Sequence, residues 1–178
     1  MSLSPQDRQL LHEIARGTIT GCLEGKTPPG LLNLPPILRE LRGAFVTLHK
    51  HGQLRGCIGL IEAIKPLAET VQEMAMAAAF RDPRFPPLQS EELPDIEIEI
   101  SVLTPFRQIT DVGEIEVGKH GLYIEKGYQR GLLLPQVATE YKWDRDTFLR
   151  QTCLKAGLHP EAWKDPDSRI FVFSAEIF

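Results

Sequence analysis

A cation and a thiol stand two residues apart in Leu54-Arg55-Gly56-Cys57-Ile58-Gly59-Leu60, an apolar run with the make-up of a β-strand. Strand side chains alternate faces, so the sequence puts Arg55 and Cys57 on one side, about 6–7 Å apart along the chain. A guanidinium at that spacing favours thiolate over thiol. Cys57 is therefore the leading candidate nucleophile or covalent attachment point, with Arg55 as its electrostatic partner. Gly56 and Gly59 flank the thiol without side chains, as a strand does where a ligand or another backbone must come close. The same residues also suit a small cysteine filling a covered strand, because free cysteine is among the most buried residue types.

Three further groups could serve such a thiol. His120, in Gly118-Lys119-His120-Gly121, sits on a glycine-flanked turn and is the histidine best placed for acid–base duty, although a turn histidine can equally be a surface residue. Asp82 and Arg84 lie in Arg81-Asp82-Pro83-Arg84-Phe85-Pro86-Pro87, where three prolines fix the backbone. They would make a rigid polar rim for an anionic or amide-bearing ligand, or they would pair with each other. Gln136 and Glu140 fall four apart on one helical face just after an apolar strand, a third set of ligand contacts or simply a solvated face. A metal centre is not expected, since Cys57 and His120 offer only two plausible ligands. No cofactor is evident either: there is no phosphate loop, no metal-ligand spacing and no paired-carboxylate motif.

The elements that must carry these residues are readable from pattern. Ser4-Pro5-Gln6-Asp7 opens like a capped helix, and Leu10, Leu11, Ile14 and Ala15 give its apolar stripe, with Gly25 as the stop. Cys22 is expected on that stripe. Ala44–His49 and Leu54–Ile61 read as two strands joined by the four residues Lys50-His51-Gly52-Gln53, and as an inner hairpin covered on both sides. Pro66 starts the clearest helix, with Leu67, Val71, Met74, Ala75, Ala78 and Ala79 at helical spacing. Ile96-Glu97-Ile98-Glu99-Ile100 alternates strictly and predicts a half-exposed strand with an acidic side. Residues 114–134 read as a small antiparallel meander and Pro135 as the start of a short helix. Asp144 or Asp146 caps another helix carrying Cys153 on its apolar face, and Ile170–Ser174 is a closing strand. Helices and antiparallel hairpins in mixed order predict an α+β fold, helices layered on sheet.

Composition narrows the function classes. The 178 residues carry a formal net charge of −4, with 42% hydrophobic and 25% charged residues, the profile of an ordinary globular domain. No basic run suggests nucleic-acid binding, and no apolar stretch approaches membrane-spanning length. Three scattered cysteines, Cys22, Cys57 and Cys153, form neither a disulfide framework nor a zinc ribbon. With no visible secretory leader, these features predict a cytoplasmic protein with free thiols.

Several blocks resemble the AMMECR1 domain family in order: GAFVTLHKHGQLRGCIG, AAAFRDPRFPPL, EIEISVLT, VGKHGLYI, LLLPQVA and FLRQTCLKAGL, of which the LRGCIG motif is the most specific. The resemblance implies one AMMECR1 domain over residues 1–178, two-lobed and α+β, with a cleft between the lobes. It also implies the stand-alone first member of the AmmeMemoRadiSam system, accompanied by Memo-type and radical SAM partner proteins. Two functional readings follow. In one, the protein is an enzyme or enzyme component that binds a small polar ligand around Cys57. In the other, it is a non-catalytic adaptor that recognises a partner protein.

Overall fold

A computed structural model describes residues 2–178 of the chain. It is an α+β structure with two four-stranded sheets and two compact units. One runs to Leu103 and takes in Glu176–Phe178; the other is Thr104–Ala175.

The first unit begins with helix α1 (Pro5–Leu23), and the expected cap is present: Ser4 and Asp7 form a reciprocal capping box, with proline in the first turn. Strands β1 (Ala44–Lys50) and β2 (Gln53–Leu60) form a hairpin. Its loop is tighter than the four residues predicted. His51 and Gly52 alone make the turn, with φ of 51° and 74°, the left-handed pair of a type I′ hairpin. Helix α2 (Leu67–Phe80) and strand β3 (Ile96–Leu103) complete the expected elements. The last strand, β8 (Ala175–Ile177), was not anticipated; it joins the first sheet beside β3, giving the order β2-β1-β3-β8.

That order corrects the expectation of an inner hairpin, because β2 is an edge strand. A continuous apolar run cannot distinguish the two positions, since edge and centre differ in hydrogen bonding rather than in composition. α2 lies over β1 and β2, and α1 over β3. Val46, Leu48, Ile100 and Val102 point to the helices and bury Leu11, Ile14, Val71 and Ala75 with them.

In the second unit, strands β4 (Arg107–Ile109), β5 (Gly121–Lys126), β6 (Gln129–Leu133) and β7 (Arg169–Phe173) form a sheet of order β4-β7-β5-β6. The predicted meander is thus a single β5–β6 hairpin, preceded by turns. Helices α3 (Pro135–Glu140) and α4 (Arg145–Lys155) follow, the latter capped by Asp144, whose side chain accepts the Thr147 amide. Phe148, Leu149 and Cys153 of α4 pack on Leu122, Ile124 and Val172.

Candidate functional site

The two glycines of the β2 motif are explained by the protein itself. A Cβ on Gly56 would collide with the Ala78 carbonyl of α2, and one on Gly59 would collide with the Phe45 ring. Gly56 thus lets the Ala-rich end of α2 seat directly on the strand. On the sides where a ligand was expected, both spaces are filled.

Cys57 lies on the opposite face of the sheet from α2. It is half-buried, and its cross-strand partner is Thr47. The Thr47 hydroxyl donates to Cys57 Sγ at 3.2 Å. The backbone of Cys57 is held on the outer edge of β2. Its N–H donates to Asp82 Oδ2 at 2.9 Å, and its carbonyl accepts from Arg84 Nη2 at 3.2 Å. Both polar groups of Cys57 therefore point away from β1, so Thr47 and Cys57 are a non-hydrogen-bonded pair. In that kind of pair the side chains approach most closely, which lets the hydroxyl reach the sulfur.

Asp82 and Arg84 do form a rigid polar unit, and it faces the strand. Arg84 donates from Nε to Asp82 Oδ1 at 3.0 Å and from Nη2 to Oδ2 at 2.7 Å, while its own amide adds a bond to Oδ1 at 3.1 Å. The Asp82 carboxylate is almost wholly buried, with 1% side-chain exposure, whereas Arg84 retains 55%. The Arg84 guanidinium, foremost, and the Cys57 and Arg84 amides hold Asp82 well below the usual carboxylate range against the opposing effect of burial. Reciprocally, the Asp82 carboxylate raises Arg84. Pro83 between them fixes the turn that permits this pairing.

Arg55 is engaged elsewhere. The register of β1 on β2 shifts between Leu48 and His49, leaving Arg55 as the unpaired residue of a β-bulge. Its guanidinium forms a two-point pair with Glu92, Nε to Oε1 at 3.0 Å and Nη2 to Oε2 at 2.9 Å. Lys50 adds a bond to Oε1 at 3.0 Å. Arg55 first, then Lys50 and the Gln89 amide, bring the Glu92 carboxyl down to about 2 against the upward effect of burial. The cation whose guanidinium contacts Cys57 is Arg84, through the Cys57 carbonyl.

His120, Gln136 and Glu140 belong to the second unit. His120 is 9% exposed, and its Nδ1 accepts the Glu116 amide at 3.2 Å, so the turn occupies one ring nitrogen. Gln136 has a buried Oε1 with no hydrogen-bond partner among the described residues, while Glu140 is exposed. Cys153 is buried, and burial pushes its thiol up. Cys22 is exposed, which corrects the expectation that its place on the apolar stripe puts it in the core. At roughly 100° per residue it projects within about 20° of Leu11 and Ala15, on the stripe itself, but it stands in the last turn of the helix. No group of three or more His, Cys, Asp or Glu among the described residues could hold a metal ion. No helix among them is long and apolar enough to cross a membrane.

Sequence reasoning missed Thr47, Glu92 and Glu99. Thr47 faces both Cys57 on β2 and Glu99 on β3. A threonine ten positions before the cysteine across a glycine-containing turn was the available signal. Glu92, 37 positions from Arg55, left none.

Two antiparallel sheets, each layered with helices, and a glycine-seated strand presenting a pinned cysteine define an α+β class of protein. The AMMECR1 family model matches residues 12–178, and the chain belongs to the AMMECR1 family. A protein of Methanothermobacter thermautotrophicus is 48% identical over 183 residues, covering 99% of this chain and 95% of its own. One from Thermococcus onnurineus is 51% identical over 181 residues, covering 96% and 88%. The crystal structure of the uncharacterized protein PH0010 from Pyrococcus horikoshii is similar at a TM-score of 0.80 and 42% identity, over 94% of this chain and 88% of that one.

Proposed function

We propose that the protein binds a small polar ligand on the sheet face around Cys57 and that the thiol acts on it, as nucleophile or as covalent attachment point. The observation that supports this is the Thr47 hydroxyl, which donates to Sγ at 3.2 Å. A donor on sulfur stabilises the anionic form that attacks electrophiles. The backbone on either side supports the reading too. With the Cys57 N–H held by Asp82 and its carbonyl by Arg84, the sulfur starts from a fixed position, which lowers the entropic cost of attack. Arg84 then takes the electrostatic role that the sequence suggested for Arg55.

A test uses the low-molecular-mass ultrafiltrate of a cell extract. Incubation is expected to raise the melting temperature of the wild-type protein, or to add mass at Cys57, and Cys57→Ser is expected to reduce or abolish the response. A stoichiometric co-purifying protein, with no melting response to the ultrafiltrate, would contradict this reading and favour an adaptor. Memo-type and radical SAM proteins are the first partners to probe in that case.

A further inference from the structure

Glu99 stands apart from the other carboxylates. It is half-buried, and no hydrogen-bond or ion-pair partner for it occurs among the described residues. Every other carboxylate that is not solvent-exposed, from Asp82 and Glu92 in this unit to Glu125 and Glu161 in the second, has at least one such partner. A partly desolvated carboxylate without a counter-charge is unfavourable unless something charged meets it.

Its position relates it to the thiol. Thr47 is the register partner of Cys57 on one side and of Glu99 on the other. Directly opposed residues of antiparallel strands share a face, so thiol, hydroxyl and carboxylate form one row across three strands. The Thr47–Cys57 pair is of the close type and Thr47–Glu99 of the wider, so the two ends of the row are roughly 10 Å apart between Cα atoms. A molecule of a few bonds' length spans that gap once the side chains are counted. The other charged or titratable groups near this row are Arg84, which is paired with Asp82, and those of the three strands. Arg55 is held by Glu92, His49 faces Glu97 in the register, and Glu97 is exposed.

We infer that Glu99 recognises a positively charged nitrogen, an amine or guanidinium, on a ligand whose other end reaches Cys57. This deepens the thiol reading above and rests on it. The carboxylate supplies the counter-charge and Thr47 bridges the row, so ligands are selected for a cationic group at one end and an electrophilic or hydrogen-bonding group at the other.

Three methanethiosulfonates that share one reacting group and a two-carbon arm and differ in the charge at its end test this: the cationic aminoethyl, the neutral ethyl and the anionic sulfonatoethyl reagents. In each, the Cys57 thiolate attacks the sulfenyl sulfur, a disulfide forms and methanesulfinate leaves, so the chemistry is constant. Rates at Cys57, resolved from Cys22 by peptide mass spectrometry, are normalised to those of a free cysteine peptide. The cationic reagent is expected to be favoured over the neutral one by about three- to fivefold, the range of a partly exposed ion pair. The anionic reagent is expected to be disfavoured. Glu99→Gln should bring the cationic-to-neutral and anionic-to-neutral rate ratios to those of the free peptide, Glu99→Asp should keep part of the differences, and Glu97→Gln should keep them. Equal normalised rates in the wild type, or a preference that survives Glu99→Gln, would overturn the inference and leave the thiol reading intact. A Cys57 inert to all three reagents would overturn both.

Discussion

The Asp82 carboxylate accepts the Cys57 amide hydrogen at 2.9 Å from a residue 25 positions further along the chain. Because β2 is a sheet edge, that amide would otherwise face outward with no strand to pair with. Asp82 and Arg84 thus cover the edge at one residue, the cysteine, and their pairing makes the proline-locked loop part of the sheet.

Arg84→Ala would leave the buried Asp82 carboxylate without its counter-charge. Breaking a buried pair typically costs about 3–5 kcal/mol, and the exposure of Arg84 brings the expectation to about 2–3 kcal/mol. Asp82→Asn, which can still accept from the Cys57 amide, should cost less. Urea unfolding at neutral pH measures both.

Gly56→Ala should destabilise the first unit by about 3 kcal/mol or more, because its Cβ has no room against the Ala78 carbonyl. Gly52→Ala tests a different cause. Nothing lies within 4 Å of its Cβ, but its φ is +74°. Its cost should be about 1 kcal/mol, the conformational penalty alone. Parallel thermal melts separate the two mechanisms.

Acid should loosen the hairpin through Glu92. Its carboxyl falls from the ordinary 4.5 to about 2 in the folded protein. A depressed carboxyl contributes stability that is complete above the unfolded value and is lost as pH falls from there through the folded one. The expected loss therefore lies between about pH 4.5 and 2, and Asp82 adds a loss in the same direction at the acid end. Glu92→Gln should flatten this part of the stability–pH curve, measured as urea midpoints across the range.

Thr47→Val keeps the shape of the side chain and removes the donor to sulfur. A hydrogen bond to a charged group contributes about 1.5–3 kcal/mol. Alkylation of Cys57 at neutral pH is therefore expected to slow by about tenfold or more, while Thr47→Ser stays near the wild-type rate. The measurement is the rate of Cys57 modification, peptide by peptide.

Much of the scaffold could be read from local pattern. The Ser4–Asp7 capping box, the alanine-rich face of α2 and the alternation of β3 all depend on neighbours within a few residues. The candidate thiol was also visible from its own strand. What could not be read depends on long-range partners. Arg55 turns to Glu92 because a bulge breaks the strict alternation, and no spacing rule reveals a bulge in advance. β8 is three residues long, too short for a periodic signal, and the residue after it, Phe178, bonds back to Ile100, 78 positions earlier. Glu99 appeared only as the acidic side of a strand, and its importance rests on what lies across two strands from it.

The central claim, that the sulfur of Cys57 is both reachable and activated, is tested most directly by peptide-resolved iodoacetamide labelling from pH 5 to pH 9. Cys57 is expected to alkylate faster at pH 7 than a free cysteine peptide, and buried Cys153 to remain unmodified. Labelling of Cys57 no faster than the peptide across the whole range would contradict it.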